Sequence, residues 1–578
     1  MVVAQTYALP AEGDDAFRVF VVPIPISAAR YVRGVEFRPV NPRVVHHANI
    51  LLDRTPTSRE RNDLDPTLGE KGLLAATAAY PSGHFLGWTQ GLPDPLLPKG
   101  LSWQLDPGTD LVVQLHMKPG GRPELVQFSL GFFFGSDPPG RTPAVLRLGR
   151  QNIDIPAGAR DHAITDTYVL PIDVEVLALK PHAHYRAHEI RATATLPDGA
   201  TKWLLYIRDW DFGWQHTYRY VTPVALPRGT TLTMTYTYDN AAGHAHGSRQ
   251  EPRRIRWGPR SSDEMGDLWM QVLARDDRDL DTLNRDFRRK WAAEDAVGYE
   301  GLLEADAGNI ALHEDAALVY LELGRPVDAV THLSASVRLK PESATAHFNL
   351  GVASMLAGRP GDAVHEYEEA LRIKPEFAPA HVSLGNVLAD QGKLDEALGH
   401  YRAAVRWEPA RAGAHNNLGF ILMGQGKLDD ALTSFREALR LDAGSPDAHY
   451  NIGLVLHARG AVAEAVQHFR DAVQIKPDWP PALTRLAWVL ATAFEDRFRD
   501  ANEAVRLAER AATLTARRDA ETLDVLAASY ASAGQFDRAL QVVGEALRVP
   551  GATPVAAGLR ERRELYRRRQ PYREPPGR

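Results

Sequence analysis

The feature that most constrains the fold is a 34-residue period in the second half of the chain. An apolar residue followed by glycine, a second glycine, an alanine and an aromatic residue all recur at this interval. The aromatic position holds Tyr367, Tyr401, Phe435 and Phe469. The closing proline stands at Pro341, Pro375, Pro409 and Pro477, with Ala443 as the one substitution. Because several positions share one period, the region predicts stacked helix pairs.

This pattern resembles the tetratricopeptide repeat. We predict five regular repeats over 310–479, a sixth opened by Leu486 and a seventh opened by Leu526, so that an all-α solenoid spans 310–553. A basic capping helix and tail follow at 554–578. The resemblance implies a binding scaffold whose groove takes a protein or peptide partner.

Histidines share the period, at His347, His381, His415 and His449. A ladder of metal ligands is one interpretation. Successive copies would lie about 10 Å apart or more at helix-packing distances, and the sequence offers no second ligand near each one. We therefore favour a structural role for these histidines.

Residues 1–272 differ in composition, being rich in Pro, Gly, Val, Thr and Tyr. Short alternating runs such as TLTMTYTYD stand between turn signals, which predicts antiparallel sheets. We expect a multidomain chain in which all-β tandem jelly-roll sandwiches precede the solenoid. The predicted sandwiches span 1–155 and 156–272, and a helical linker spans 273–309.

Composition restricts the chemistry. The chain has no cysteine, so any metal must be held by His, Asp, Glu or Met. Lys plus Arg is 67 and Asp plus Glu is 73, a net charge of −6 that disfavours a nucleic-acid partner. No apolar run approaches the length of a membrane span, and the first residues carry no signal-peptide pattern.

Five histidines and one methionine form the candidate metal site of the β-rich region. They are His46, His47, His116, His182, His184 and Met265. Residues i and i+2 of a strand share a face, so the two histidines of PHAH can grip one ion. The adjacent pair in VVHHANILLD can share an ion only through a bulge, a strand end or different ring nitrogens. Imidazoles joined by a thioether favour redox copper.

The motifs VVHHANILLD, VVQLHM, His-x-His and SSDEM occur in the order found in the copper type II, ascorbate-dependent monooxygenases. Residues 7–272 resemble this family of peptidylglycine α-hydroxylating and dopamine β-monooxygenases. The resemblance implies two jelly rolls with one copper each, which face each other across a solvent-filled gap. The first copper would be held by His46, His47 and His116.

The second copper would be held by His182, His184 and Met265, the set that the resemblance makes catalytic. There O2 would bind and a C–H bond of a small organic substrate would be hydroxylated. Ascorbate or another electron donor would serve as reductant. Relatives of this class act outside the cytoplasm, so we expect an extracytoplasmic location if the start of the chain is shortened.

Four further residues are candidates for substrate contact or for support of the ligands: Gln114, Lys180, Asp267 and Trp269. The first matches a family glutamine near the first copper. The other three stand where the peptide enzyme has arginine, asparagine and tyrosine, which serve peptide-carboxylate recognition. We therefore expect a substrate other than a peptide.

Other features have less specific interpretations. The aromatic segment KWLLYIRDWDFGWQHTYRY either lines a substrate pocket or, as we favour, packs in the core. The histidines not expected to bind metal are His162, His188, His216, His244 and His246.

Two alternatives to a monooxygenase remain. One is a non-catalytic copper-binding protein whose repeats assemble partners. The other is a zinc hydrolase, which is less favoured because no paired carboxylate stands beside the histidines as a general base.

Overall fold

The structure is a computed structural model that describes residues 3, 6–13, 16–64, 77–78, 80–81, 83–89, 96–97, 100–136, 138, 140–212, 214–241, 252–258, 263–550 and 553–575. It divides into two compact units, residues 1–339 and 340–578. His244 and His246 lie outside the described residues. No helix in the described ranges is long and apolar enough to cross a membrane.

The N-terminal sheets are built from nine strands and carry one short helix. The strands are β1 (Tyr7–Leu9), β2 (Ala16–Pro23), β3 (Arg30–Pro39), β4 (Val45–Asp53), β5 (Gly87–Thr89), β6 (Trp103–Leu105), β7 (Asp110–Met117), β8 (Glu124–Val126) and β9 (Phe128–Gly135), with α1 (Thr57–Leu64) after β4. Antiparallel sheets form in the orders β2-β7-β4-β5, β6-β3-β9 and β1-β8. Their shared core includes Phe20, Ile50, Val113 and Phe128.

The second sheets are built from ten strands. These are β10 (Pro143–Gly149), β11 (Asp154–Ile155), β12 (His162–Val169), β13 (Val174–Ala183), β14 (Ala187–Thr195), β15 (Thr201–Ile207), β16 (Tyr218–Leu226), β17 (Thr231–Tyr238), β18 (Ile255–Arg256) and β19 (Gly266–Ala274). The sheet orders are β10-β19-β13-β16, β12-β17-β14-β15 and β11-β18. Alternation decides which residues enter the core: TLTMTYTY of β17 buries Leu232, Met234, Tyr236 and Tyr238.

The boundary between the two sets of sheets differs from the sequence prediction. β10 pairs along its whole length with β19, so residues 143–149 belong to the second sheets. The predicted boundary at 155/156 therefore lies too late, because the sequence marked it by a turn rather than by strand pairing. The β-rich region consists of several antiparallel sheets, as predicted, and its jelly-roll topology stays a prediction.

Three helices complete the first unit: α2 (Asp277–Ala305), α3 (Ile310–Glu322) and α4 (Pro326–Leu339). Asp276 caps α2 by accepting a hydrogen bond from the backbone N–H of Asp279 at 2.9 Å. Leu283 of α2 is buried in the core of the second sheets, and the Tyr168 hydroxyl donates to Asp286 at 2.8 Å. Within the segment predicted as a helical linker, α2 is thus a long helix packed on a sheet.

The second unit is helical throughout its secondary structure. Its helices are α5 (Ala344–Leu356), α6 (Pro360–Ile373), α7 (Ala378–Asp390), α8 (Leu394–Trp407), α9 (Ala412–Gly424), α10 (Leu428–Leu441), α11 (Pro446–Ala458), α12 (Val462–Ile475), α13 (Pro480–Thr492), α14 (Ala501–Leu514), α15 (Ala520–Ser532), α16 (Phe536–Ala546) and α17 (Thr553–Arg567), with a 3-10 turn at Asp496–Phe498. A Cβ added to Gly351 would lie 2.5 Å from the Tyr367 ring. The glycine and the aromatic residue recur together because the two helices of a repeat touch at this point.

Candidate metal centre

A β-bulge brings the first three histidines together. In the β4–β7 ladder Val45 pairs with Met117, but His47 pairs with His116, so the register shifts by one residue at His46. Adjacent strand residues normally face opposite ways. Here the Nδ1 atoms of His46 and His47 lie 3.2 Å apart, and one candidate ligand atom from each of the three histidines lies within 4.8 Å of the other two.

Aromatic stacking supports these rings. Phe17 of β2 stacks on His116 with ring centroids 4.3 Å apart, and Phe212, in the connection between β15 and β16, stacks on His46 at 4.3 Å. The aromatic segment that contains Phe212 therefore contributes directly to the centre. Its members differ, since Trp210 and Phe212 are buried whereas Trp203 and Trp214 are exposed.

Hydrogen bonds set the tautomer of His182. Gln215 is buried, and its Nε2 donates to the carbonyl oxygen of Phe212 at 3.0 Å, which directs its Oε1 towards the ring. His182 Nδ1 bonds this Oε1 and must therefore carry the proton. The lone pair of His182 then lies on Nε2, which is the nitrogen available to a metal.

His184 follows the same logic. Its Nδ1 lies 3.1 Å from the carbonyl oxygen of Asp263, which can only accept, so Nδ1 is the donor and Nε2 carries the lone pair. Its own carbonyl oxygen accepts from the Trp210 indole at 3.2 Å. The ring centroids of His182 and His184 are 5.4 Å apart. His182 and His184 thus both have Nε2 available to a metal.

Glu264 ties the third predicted ligand of this set to His184. The buried carboxylate accepts hydrogen bonds from the backbone N–H groups of His184 at 2.5 Å, Arg186 at 2.8 Å and Met265 at 3.0 Å. In the β13–β19 ladder His182 pairs with Asp267 and Ala183 with Gly266. Met265 directly precedes the first residue of β19, and its backbone shares the Glu264 carboxylate with that of His184.

The two histidine sets form one cluster. The ring centroids of His47 and His182 are 6.0 Å apart. The resemblance implied a solvent-filled gap between two metal sites, and the structure contradicts this expectation for these side chains. The reason is contact between the two sets of sheets: Gln271 of β19 donates to the Gly83 carbonyl oxygen at 2.7 Å.

Burial favours the neutral form of three of the clustered imidazoles. It lowers the pKa of His47 well below its usual value, lowers that of His182, and lowers that of His184 to about 3. Repulsion from neighbouring histidines adds to the effect at His47 and His184. A neutral imidazole is the form that binds a metal.

Of the four supporting residues, Lys180 acts on the cluster, whereas Gln114 is hydrogen-bonded to a neighbouring strand. Gln114 Oε1 accepts from Asn49 Nδ2 at 3.0 Å. Lys180 is desolvated by burial, which lowers its pKa to about 8, and its charge lowers the pKa of both His47 and His182. Lys180 therefore brings a positive charge to the centre.

Asp267 and Trp269 are engaged by an arginine. Arg147 donates two hydrogen bonds to Asp267, at 3.0 and 2.8 Å, and its guanidinium lies 4.8 Å from the centre of the Trp269 ring. The Tyr80 ring packs edge-on against the Trp269 ring, with ring centroids 5.4 Å apart. These two residues have protein partners in the structure, and a substrate role for them stays a prediction.

The other described histidines of the β-rich region, His84 among them, have contacts elsewhere. His188 Nε2 lies 3.4 Å from Asp161 Oδ1, His216 packs against the Trp214 ring at 4.0 Å, and His162 starts β12. Sequence reasoning missed Gln215 and Glu264. The second could have been noticed, because it immediately precedes Met265 in SSDEM.

The repeats also place histidines in pairs, which corrects the expectation that no second ligand is near each one. His381 Nδ1 lies 2.9 Å from His400 Nδ1, and His449 Nδ1 lies 3.1 Å from His468 Nδ1. The partner stands 19 residues later, on the second helix of the repeat. The pairing is not evident from the sequence because the two histidines are 19 residues apart and meet only when the helices pack.

A family model described as "Tetratricopeptide repeat" matches four overlapping stretches, 314–379, 355–417, 382–446 and 416–480. Residues 314–480 are tetratricopeptide repeats. The match does not reach the β-rich region, where no family match shows a copper monooxygenase domain. No curated protein matches the chain.

Among solved structures the chain is similar to YrrB, which is described as a TPR protein, and to PilF and MamA. YrrB, described as having an unusual peptide-binding site, is 24% identical, with 33% of this chain and 98% of that chain covered and a TM-score of 0.28. PilF of Pseudomonas aeruginosa is 25% identical over 36% and 92%, with a TM-score of 0.32. MamA is 27% identical over 26% and 86%, with a TM-score of 0.25.

Proposed function

We propose that the β-rich region binds copper through its five clustered histidines and Met265, and that the tetratricopeptide repeats bind a protein or peptide partner. The observation that carries the copper proposal is the convergence of His46, His47 and His116 at a bulge, with the rings of His182 and His184 beside them. Neutral imidazoles are good metal ligands, and five of them lie side by side here.

The chemistry of the donors fits copper. His182 and His184 each use Nδ1–H for a protein acceptor, which leaves Nε2 of both for a metal. Imidazole suits copper in either oxidation state, and a thioether favours Cu(I). Cysteine is absent from the chain, so no thiolate competes for the ion.

The activity that this donor set favours is hydroxylation of a C–H bond of a small organic substrate. Bound copper would supply one-electron redox chemistry and O2 activation, with ascorbate or another donor as reductant. The protein's part is positioning. Glu264 fixes the backbone that carries His184 and Met265, and the Lys180 ammonium attracts an anionic group of the substrate.

A non-catalytic copper-binding protein is the second candidate. One observation favours it: the His47 and His182 rings lie 6.0 Å apart, and Phe212 covers His46, so the cluster is closely packed. In that case the copper would stabilise the contact between the sheets while the repeats recruit the partner.

Copper loading of the full chain tests the proposal. We expect about two coppers per chain, and X-ray absorption of the Cu(I) form should show sulfur scattering that Met265→Ile removes. Met423→Leu in the repeats is the matched control and should retain that signal. Copper binding that is unchanged after substituting His47 and His182 would contradict the copper site.

Oxygen consumption then separates the two candidates. Wild-type protein loaded with copper and supplied with ascorbate should consume O2 in a substrate-dependent way across a panel of small organic acids and amines, and Met265→Ile should abolish it. Full copper loading without substrate-dependent uptake across the panel would favour the non-catalytic candidate.

A further inference from the structure

We propose that His449, His468 and Asp471 form a separate binding site in the repeats for a first-row divalent metal ion, with zinc as the expected occupant. His449 is on α11, and the other two residues are on α12. This site lies in the second unit and is independent of the copper proposal.

The distances match those of a metal site. His449 Nδ1 is 3.1 Å from His468 Nδ1 and 3.5 Å from Asp471 Oδ2, and one ligand atom from each residue lies within 4.8 Å of the other two. Tetrahedral zinc with bonds of about 2.0–2.1 Å holds neighbouring ligand atoms about 3.3 Å apart. The three donors therefore need only small adjustments to share one ion.

The helices hold the donors in place. His468 and Asp471 are three residues apart, so they lie on one face of α12. The adjacent Phe469 packs so closely on Gly453 of α11 that a Cβ there would lie 2.6 Å from the ring. This contact fixes the spacing of α11 and α12, and with it the distance between the two histidines.

A neighbouring side chain orients the carboxylate. Gln467 Nε2 donates to Asp471 Oδ1 at 2.9 Å, which leaves Oδ2 directed towards His449. The Asp471 side chain is 31% exposed, so solvent reaches the site and water can complete the coordination. Two imidazoles and one carboxylate suit zinc and similar divalent ions.

Other repeats provide an internal comparison. His381 and His400 form the same pair, but Ala403 occupies the position equivalent to Asp471. His381 Nε2 lies 2.9 Å from the Pro375 carbonyl oxygen and so carries the proton, which makes its Nδ1 an acceptor for His400. His381 and His400 are therefore joined by a hydrogen bond and supply two candidate ligands rather than three. Within the described repeats, the His449 pair is the one that a carboxylate extends to three ligand atoms all within 4.8 Å of one another.

Zinc titration of the metal-free full chain tests this site, with copper excluded because it would compete for the same donors. We expect His468→Gln to bind one zinc fewer per chain than wild type, and Asp471→Ala to weaken that zinc by about tenfold or more. The alanine variant reproduces the residue found in the His381 repeat, so it should fold normally. His400→Gln is the matched control and should leave zinc stoichiometry and affinity unchanged.

A gain of function provides the second measurement. Ala403→Asp should add one zinc per chain, because it supplies the missing carboxylate beside His381 and His400. Cobalt substitution should report each site as a visible absorption band that appears or disappears with these variants. Equal zinc stoichiometry and affinity in wild type, His468→Gln and Asp471→Ala would show a hydrogen-bonded pair only and would overturn the proposal.

Discussion

The two histidine clusters reach similar ligand spacings by different routes. In the β-rich region the rings come from positions with no common period, and a bulge and strand pairing unite them. In the repeats the two rings occupy two positions of a 34-residue unit, 19 residues apart, and helix packing sets their spacing. The first cluster is wrapped in aromatic rings and buried hydrogen bonds, whereas the second is open to solvent at Asp471.

This difference teaches what each site depends on. A cluster assembled from separate strands depends on buried polar groups that hold each backbone segment, so loss of one such group should disturb several ligands together. A cluster on a helix pair depends on the packing of that pair, and neighbouring repeats are nearly independent of it. Loss of a buried polar group should therefore disturb the cluster of the β-rich region, and altered helix packing should disturb the cluster of the repeats.

The largest effect is expected at Glu264. Glu264→Ala would leave the N–H groups of His184, Arg186 and Met265 without their buried acceptor, at about 1–3 kcal/mol each. We expect a loss of at least about 3 kcal/mol in unfolding free energy of the first unit, with copper binding reduced. Chemical denaturation monitors the stability. The control is Glu495→Ala, at an exposed residue directly before the 3-10 turn, and it should change the unfolding free energy little.

The next largest effect is expected from acid, which should destabilise the β-rich region. Burial between the sheets lowers the pKa of His84 to about 3, against 6.5 in the unfolded chain. Between these values the unfolded state binds the extra proton, so the stability contributed by neutral His84 is complete above about pH 6.5 and falls by about 1.4 kcal/mol per pH unit on acidification. Denaturation at pH 7 and pH 4.5 measures the loss. His84→Gln should reduce this pH dependence by about one proton, and an unchanged slope would exclude His84 as the cause.

The sequence predicted the parts of the fold that periodicity encodes. A 34-residue period identifies the repeats because each Gly–aromatic pair, such as Gly453 and Phe469, is a local contact repeated unit by unit. Alternation likewise identified antiparallel strands such as β17. Both signals are short-range, so they need no knowledge of which segments meet.

The arrangement of the sites was less predictable because it depends on long-range pairing. That His46 and His47 share a bulge follows from their register with β7, about 70 residues away in the chain. The Gln215 contact that sets the His182 tautomer joins separate segments. The contact that brings His47 and His182 together also joins distant segments, so the resemblance implied a gap there instead.

The smallest effect is expected at a repeat glycine. In Gly453→Ala the new Cβ would lie 2.6 Å from the Phe469 ring, so the helices must separate, at a cost of about 1–3 kcal/mol. Because His449 and His468 lie beside this contact, zinc affinity should fall with stability. Gly399→Ala on α8 is the matched control: its Cβ meets nothing within 4 Å, so the better helix former should stabilise slightly. Thermal unfolding with and without zinc measures both, and equal zinc affinity in Gly453→Ala and wild type would show that helix spacing does not control the site.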